Sequence, residues 1–296
     1  MSESISLGLW NANGLGSTSI SDVLQHCLSF NILFITETWL RPSSRLPTNW
    51  TQFHLYGPLI PGAGNRGSGG VTALVHPSCP FPVYQLPSPN AYTLSLKVGS
   101  LRVLCLYLSP SLSSDVFYSV LASLPLHANT IICGDFNARL GGAVGDSLVN
   151  ARGRLLLPWC DTHSFSVLNS SLSFGVPTWL GFRDNREISS IIDLFLTNIP
   201  VPDLDSPSLF TASNLSLGSD HRLLCLSFSS FVLDSLPSPD SPGSSCHPRR
   251  LWNLSRLKEA GPSRLYKSSF ASLSAPLVSE LSDLVPSPPP VRPDID

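Results

Sequence analysis

Eight short apolar segments, most bounded by glycine, proline, asparagine or serine, constrain the fold of this chain more than any other feature. They read ISLGLW, ILFITE, GVTALV, YTLSLKV, LRVLCLYL, TIICGDF, IIDLFLT and RLLCLSF, and all lie between residue 5 and about residue 230. Runs of this length that are rich in Val, Ile, Leu and Phe are typical of buried β-strands. The tripeptide VGS between two of them predicts a tight hairpin.

Helical patterns alternate with these strands. SISDVLQHCLSF and SSDVFYSVLASL have apolar residues at helical spacing, and each begins with serines that can cap a helix. A third segment, RGRLLLPWCDTHSF, is a weaker helix candidate because Pro158 would kink or delay it. The mixture predicts layered α/β or α+β architecture with the helices outside the sheets.

The composition changes after about residue 230. The segment 231–296 holds 11 of the 27 prolines and ends in PSPPPVRPDID. We therefore predict one domain over residues 1–230, followed by a Pro/Ser-rich, mostly disordered tail or linker over 231–296. Within that tail, RRLWNLSRLKEA is a short amphipathic piece that could dock on a partner.

The bulk chemistry excludes several classes of protein. A net charge of −2 and only 13% charged residues are not those of a strongly basic nucleic-acid binder, so a metal and a few local cations must hold any phosphate-rich partner. No apolar run is long enough to span a membrane, and no secretory signal is recognisable, so we expect an intracellular protein. The seven cysteines are odd in number and scattered, which predicts free thiols without disulfide partners.

Polar residues interrupt or follow the apolar segments at six successive places. They are Asn11 with Asn13, Glu37, Tyr107, Asp135 with Asn137, Asp193, and Asp220 with His221. Each place alone has an ordinary explanation: a turn for Asp135, a capped surface histidine for His221, a core tyrosine for Tyr107, a boundary charge for Glu37. Six in order over about 210 residues indicate a site at one edge of a sheet core.

These residue types form a coherent chemical set. Carboxylate and amide oxygens are hard ligands that suit Mg²⁺ or Mn²⁺ better than Zn²⁺. A histidine beside an aspartate provides a cation or a proton donor, and a tyrosine hydroxyl can hydrogen-bond a phosphate. The set predicts metal-assisted phosphodiester hydrolysis.

The motifs WNANGL, TETWL, LYLSP, GDFNA, IIDLFLT and SDH closely resemble the endonuclease/exonuclease/phosphatase superfamily. Within it the chain resembles the apurinic-type endonuclease domain of non-LTR (LINE-type) retrotransposons, for which NARGRLLLPWC and RRLWNLSRL are typical. The resemblance covers about residues 5 to 230. It implies a four-layer α/β sandwich in which two mixed sheets pack face to face with helices outside.

The resemblance implies a metal site that takes Mg²⁺, with Mn²⁺ as a substitute. Glu37 would be the principal ligand, with Asn11 close to it and Asp220 nearby. Many repair relatives carry aspartate where this chain has Asn13, so this chain would offer one charge less to the metal.

The resemblance also implies catalytic roles. Asp135 would orient or deprotonate the attacking water, and Asn137 would hold the phosphate or the leaving oxygen. Tyr107 would bind the scissile phosphate. His221 would face the phosphate and stabilise the pentacovalent state, while Asp193 orients His221.

The implied partner is DNA. Five arginines flank the motifs and are candidates for contacts to its backbone: Arg139, Arg152, Arg154, Arg183 and Arg186. The implied activity is a DNA endonuclease that nicks one strand and leaves a 3′ hydroxyl for target-primed reverse transcription. A reverse transcriptase would then be a partner in the parent element, and the nucleus the expected location. Two alternatives stay open: a phosphoesterase acting on inositol or lipid phosphates or on RNA, and a catalytically inactive derived copy.

Overall fold

The computed structural model describes residues 4–15, 20–60, 66–212 and 216–229, together with residues 264, 267–268 and 270–271. The chain divides into two units, Met1–Cys246 and His247–Asp296. All the strands and helices delimited below lie in the first unit. The tail 231–296, including RRLWNLSRLKEA, falls almost entirely outside the described residues, so the domain boundary at residue 230 stays a prediction.

Fourteen strands are present in the described part of the chain. They are β1 (Ser4–Asn11), β2 (Ile32–Thr36), β3 (Thr51–Leu55), β4 (Val71–Val75), β5 (Val83–Leu86), β6 (Thr93–Val98), β7 (Leu101–Tyr107), β8 (Thr130–Asp135), β9 (Ser166–Val167), β10 (Trp179–Arg183), β11 (Arg186–Ser190), β12 (Asp193–Thr197), β13 (Asp205–Thr211) and β14 (Leu224–Ser229). The helices are α1 (Ile20–Gln25), α2 (Ser114–Ala122), α3 (Ala151–Thr162) and α4 (Leu168–Leu172), with 3-10 turns at Gly141–Ala143 and Val201–Asp203.

Two mixed six-stranded sheets make up the domain. The first has the order β13-β14-β1-β2-β4-β3, and the second has the order β5-β6-β7-β8-β12-β9. In each sheet one central pair is parallel, β1 with β2 and β7 with β8, and the other pairs are antiparallel. Strands β10 and β11 form a separate antiparallel ribbon.

The sheets pack face to face around a shared apolar core. This core joins residues of the first sheet such as Leu7 and Phe34 to residues of the second such as Val103, Cys133 and Phe195. A second cluster lies between the outer face of the second sheet and helices α2 and α3, and a third lies between the first sheet and α1. The predicted four-layer α/β sandwich is therefore confirmed.

Helix α3 forms despite its proline. The sequence predicts that Pro158 weakens this segment, yet the helix runs through it from Ala151 to Thr162. Asn150 caps the amino terminus, because its side chain accepts a hydrogen bond from the Gly153 amide at 2.8 Å. The apolar face of the helix is buried by residues such as Leu156, and this packing outweighs the proline.

The topology brings the predicted site residues to one edge of the sandwich. Asn11, Tyr107 and Asp135 are the last residues of β1, β7 and β8, and Glu37 directly follows β2. Asp193 opens β12, where it pairs in register with Asp135 of the antiparallel neighbour β8. The ends of the two parallel pairs therefore meet across the sandwich and place their polar residues together.

Two further predictions concern cysteines and membranes. The cysteines of the described chain are free thiols: Cys27, Cys79, Cys105, Cys133, Cys160 and Cys225. Among the described residues, no helix is both long enough and apolar enough to cross a bilayer.

Candidate active site

A single amide group links the carboxylates at the ends of β2 and β8. Asn11 donates from Nδ2 to Glu37 Oε1 at 3.1 Å and to Asp135 Oδ2 at 2.9 Å. Its Oδ1 accepts a hydrogen bond from the Asn13 amide at 2.9 Å, which fixes the orientation of the amide group. The predicted proximity of Asn11 and Glu37 is thus found, and Asp135 shares the same amide.

Asp135 is a buried acid that is held in place by hydrogen bonds. Its side chain accepts from the backbone amide of Asn137 at 2.9 Å and from the Asn137 side chain at 3.1 Å. Burial raises the pKa of Asp135 to about 8, and the charge of Asp193 adds to the rise while that of His221 opposes it. Gly134 lets β8 approach β7 here, since a Cβ at this position would lie 1.9 Å from the Leu106 carbonyl oxygen.

His221 and Asp193 form a buried pair beside Asp135. His221 Nδ1 lies 2.8 Å from Asp193 Oδ2, and only 5% of His221 is exposed. Burial alone would lower the pKa of His221, but the charge and hydrogen bond of Asp193, with the charges of Asp135 and Asp220, raise it to about 9. The raised pKa favours the protonated form of His221, and its Nε2 makes no contact with Asp193.

Backbone pairing holds this pair where it is. Trp179 and His221 form an antiparallel bridge, with hydrogen bonds from the Leu180 amide to Asp220 O and from the Arg222 amide to Thr178 O. The Thr178 hydroxyl accepts from the backbone amide of Asp193 at 3.1 Å. Thr178 and Trp179 were not predicted, because a hydroxyl or a backbone bridge that acts on groups distant in sequence leaves no polar signal at a strand end.

Asn169 also supports Asp193 and was missed. It is fully buried, donates to the Asp193 carbonyl at 3.2 Å and accepts from the Phe195 amide at 2.9 Å. The surrounding SVLNSS is mostly polar, so an asparagine there gives no signal in the sequence.

Asp220 lies at the exposed rim of the site. It accepts hydrogen bonds from Trp179 Nε1 at 2.8 Å and from Asn13 Nδ2 at 3.2 Å. The Asn13 backbone amide donates to Asn11, and Asn11 donates to Glu37 and Asp135. Asp220 is therefore linked to these two acids through Asn13 and Asn11. Asn13 thus bridges two of the predicted metal-binding residues, Asn11 and Asp220.

Tyr107 faces Glu37. Burial raises the pKa of the Tyr107 hydroxyl well above its usual range, and the charge of Glu37, its hydrogen-bond partner, adds to this. Its ring also packs closely on Gly69, where a Cβ would lie 2.9 Å from it. Tyr107 is therefore neutral at any working pH and can donate a hydrogen bond.

Left-handed backbone concentrates at this edge. Asn13, Glu37, Trp39 and Asn137 have φ values of 45°, 50°, 52° and 49°. Glutamate and tryptophan adopt this region rarely, at a cost of order 1 kcal/mol or more each. Such a concentration indicates that the loops are shaped for the placement of side chains.

The donor set fits a hard divalent cation. Glu37 and Asp135 offer carboxylate oxygens across one amide, and Asp193 Oδ1 is buried with no hydrogen-bond partner among the described residues. Ligand atoms of Asp135, Asp193 and His221 lie within 4.8 Å of one another. His221 Nδ1 is engaged by Asp193, and oxygen is the ligand that a hard cation prefers, so the carboxylates are the better candidates.

Asn137 and the arginines differ from the sequence-based expectations. Both amide hydrogens of Asn137 are engaged, by Asp135 Oδ2 and by the Leu108 carbonyl at 3.2 Å, so Asn137 acts here as a support for Asp135. Arg139 pairs with Asp146 and also donates to the Ser189 carbonyl at 3.1 Å, which ties the loop after β8 to β11.

Arg152 is a correction. It is 6% exposed, and its guanidinium donates to the carbonyls of Leu108 at 2.9 Å, Ser109 at 2.6 Å and Leu112 at 2.7 Å. It therefore clamps the loop after β7 from inside and is not placed to contact DNA. The prediction failed because a buried arginine and a surface arginine look the same in the sequence.

The remaining arginines occupy the surface or lie outside the description. Arg154 and Arg186 are exposed, so their predicted contacts to DNA stay predictions. The backbone of Arg183 belongs to β10, but its side chain is not among those that the structure describes.

Comparison with known proteins agrees with this geometry. The sequence model of a family described as endonuclease-reverse transcriptase matches residues 101–225. The resemblance inferred from the sequence is confirmed by this match together with the solved structures that share the fold. No curated protein gave a significant match to the sequence.

Several solved structures share this superfamily fold. The endonuclease domain of TRAS1, a telomere-specific non-LTR retrotransposon, is 15% identical with a TM-score of 0.58, covering 76% of this chain and 98% of its own. The 3′-5′ exonuclease NExo from Neisseria meningitidis is 18% identical with a TM-score of 0.57, covering 76% and 100%. An AP endonuclease from Archaeoglobus fulgidus is 14% identical with a TM-score of 0.57, covering 76% and 99%.

Proposed function

We propose that this chain is a divalent-metal-dependent phosphodiesterase that nicks DNA and leaves a 3′ hydroxyl. The observation that carries the proposal is one buried cluster: Asp135, with its raised pKa, lies beside the His221–Asp193 pair, and ligand atoms of all three fall within 4.8 Å. A base and a cationic acid held together, next to facing carboxylates, are what in-line phosphodiester hydrolysis requires.

Asp135 is the proposed base. Asn11 and Asn137 hold its carboxylate in one orientation, so that it can take a proton from a water at the phosphorus without first reorganising. Its pKa of about 8 lies near working pH, which is where a general base is most effective.

His221 is the proposed electrophile. Asp193 fixes Nδ1, and Nε2 can then donate to a non-bridging phosphate oxygen as negative charge develops there. Tyr107, kept neutral by burial beside Glu37, would donate its hydroxyl hydrogen to the same phosphate in place of Glu37.

Glu37, with Asp220 at the rim, would hold Mg²⁺ or Mn²⁺, and Asn11, whose Nδ2 donates to Glu37, would keep that carboxylate in place. When bound there, such a cation would supply positive charge that polarises the phosphate and keeps the facing acids ionised. The oxygen-only donor set and the partnerless Oδ1 of Asp193 support a hard cation at this edge.

DNA as the substrate is supported by the comparisons. The family match is to endonuclease-reverse transcriptases, and the neighbours include a retrotransposon endonuclease domain and a 3′ phosphatase bound to product DNA hairpin. In this proposal residues 1–230 form the catalytic domain and 231–296 a tail or linker. The parent element would pair the nick with a reverse transcriptase, in the nucleus.

A substrate panel tests the proposal. The purified chain is incubated in Mg²⁺ with duplex DNA, single-stranded RNA and a phosphoinositide, and the DNA product is extended by a polymerase to reveal a 3′ hydroxyl. Cleavage of duplex DNA to extendable ends is expected. Hydrolysis of the phosphoinositide or the RNA with intact DNA would reject the DNA assignment, and no hydrolysis by a folded chain would indicate an inactive copy.

A further inference from the structure

Arg66 is stacked on an aromatic ring beside the site. Its guanidinium carbon lies 4.1 Å from the centroid of the Trp39 ring. Trp39 follows Glu37 by two residues, and Arg66 is exposed. The described ion pairs involve Arg139 with Asp146 and His221 with Asp193, so within the described chain Arg66 is paired with no carboxylate.

Trp39 is held firmly by two neighbouring loops. Its amide donates to the Gly69 carbonyl at 2.9 Å, and its carbonyl accepts from the Gly67 amide at 3.1 Å. Its ring lies against Gly14, where a Cβ would come within 2.1 Å of the ring, so only glycine fits there. A tryptophan fixed in this way is a rigid platform for the guanidinium.

The segment that carries Arg66 also borders the site itself. Gly69 packs on the ring of Tyr107, and Gly70 lies against Thr38, where a Cβ would be 2.9 Å from the hydroxyl oxygen. Arg66 is therefore attached to the same loops that present Glu37 and Tyr107.

The acids around the site would repel a DNA backbone, so an exposed cation beside them matters for binding. Glu37, Asp135 and Asp220 all carry or can carry negative charge, whereas Arg139 and Arg152 are committed to internal acceptors. A DNA backbone approaching this edge therefore needs a fixed positive group. Stacking covers the face of a guanidinium and leaves its edge N–H groups, which match the geometry of a phosphate.

We propose that Arg66, held on Trp39, binds a backbone phosphate of the DNA strand next to the scissile phosphate. This inference rests on the proposed function and adds a phosphate contact to it. Trp39 acts as a positioning residue that sets the plane of the guanidinium.

The test is DNA binding as a function of salt. All proteins carry Asp135→Asn to prevent cleavage, and the affinity for a fluorescent duplex is measured by anisotropy over a range of salt concentrations in Mg²⁺. Arg66→Gln should weaken binding several-fold and reduce the slope of log K against log salt by about 1. Lys97→Gln removes one positive charge at the opposite end of the second sheet, where Lys97 of β6 lies across from Arg102 of β7 in the strand register. It should change neither the affinity nor the slope.

Trp39→Leu distinguishes the platform from the charge. It keeps Arg66, so the slope should change less than in Arg66→Gln while the affinity still falls. The parent protein, which keeps Arg66, should bind the duplex. If Arg66→Gln then has the same affinity and the same slope as the parent, this inference is overturned and the proposed function stays intact. Failure of the parent protein to bind any duplex would overturn both.

Discussion

At the scale of single residues, the pairing of Asp193 with His221 determines what the site can do. The carboxylate keeps a buried imidazole protonated, which burial alone would prevent. Its contact with Nδ1 also fixes the orientation of the ring, and therefore the direction of Nε2. The raised pKa depends on the charge of Asp193, which an amide of the same shape does not carry.

Asp193→Asn should therefore lower the pKa of His221 from about 9 and reduce the rate constant for phosphodiester cleavage by about 10²- to 10⁴-fold. NMR titration of the histidine and single-turnover kinetics measure the two effects separately. Asp161→Asn, an exposed acid on α3, serves as the control and should leave both unchanged. An unaltered rate in Asp193→Asn would contradict the assigned role.

Arg152 is a second residue whose role is set by its surroundings. Arg152→Met leaves three carbonyls of the loop after β7 without their donor, which should cost about 3 kcal/mol or more of unfolding free energy. Urea denaturation measures this cost. Arg154→Met, at an exposed position two residues along the same helix, should stay within about 0.5 kcal/mol. Equal effects of the two substitutions would show that Arg152 does not clamp the loop.

At the scale of secondary-structure elements, the amino terminus of α3 is joined to the loop after β8. Asn150 caps the helix through Gly153 and also bonds the Asn137 carbonyl at 2.9 Å and the Arg139 amide at 3.1 Å. One side chain thus ends the helix and holds the segment that supports Asp135.

Asn150→Ala should destabilise the protein by about 1–2 kcal/mol and also reduce the cleavage rate, because the loop beside Asp135 loses its anchor. Ser113→Ala is the control, since Ser113 caps α2 through the Val116 amide and does not bond the loop that supports Asp135. It should cost comparable stability with no loss of rate at a temperature where both proteins are folded. A rate loss of the same size in both variants would attribute the effect to stability alone.

The strands show how far sequence reasoning reaches. The eight predicted segments are the eight interior strands of the two sheets, because interior strands are buried and read as continuous apolar runs. The strands that were missed are the four sheet edges, β3, β5, β9 and β13, and the ribbon β10–β11. Edge strands are partly exposed, so TQFHL and VYQL carry no recognisable apolar pattern.

The site residues also divide into those that the sequence predicts and those that it does not. Residues delivered by the ends of interior strands, such as Asn11 and Asp135, were found because they break an apolar run. Thr178, Asn169 and Asn150 were missed, since each acts on backbone groups that only the folded chain brings near. Arg152 was misassigned because burial depends on the tertiary fold.

At the scale of the whole molecule, the clustered acids make stability depend on pH. The pKa of Asp135 rises from 3.8 to about 8 on folding, so its contribution to stability falls as pH increases through that interval. The pKa of His221 rises from 6.5 to about 9, so its contribution is complete below the lower value and is lost towards the upper one. Both changes have the same sign.

The metal-free protein should therefore become steadily less stable from about pH 5 to about pH 9, as measured by urea denaturation in EDTA. Asp135→Asn removes the larger part of this dependence, so its stability should fall less over the same interval. A wild-type stability that does not fall from about pH 5 to about pH 9 would mean that burial does not disfavour the charge on Asp135.

Plasmid nicking tests the central claim most directly, that this buried cluster is a metal-dependent phosphodiesterase. Supercoiled DNA is incubated in Mg²⁺ with wild type, with Asp135→Asn, and with wild type in excess EDTA. Relaxed circles are expected from the wild type in Mg²⁺ without EDTA, and from neither of the other two reactions. Nicking that persists in Asp135→Asn or in EDTA would contradict it, because neither the acid nor the cation would then be needed.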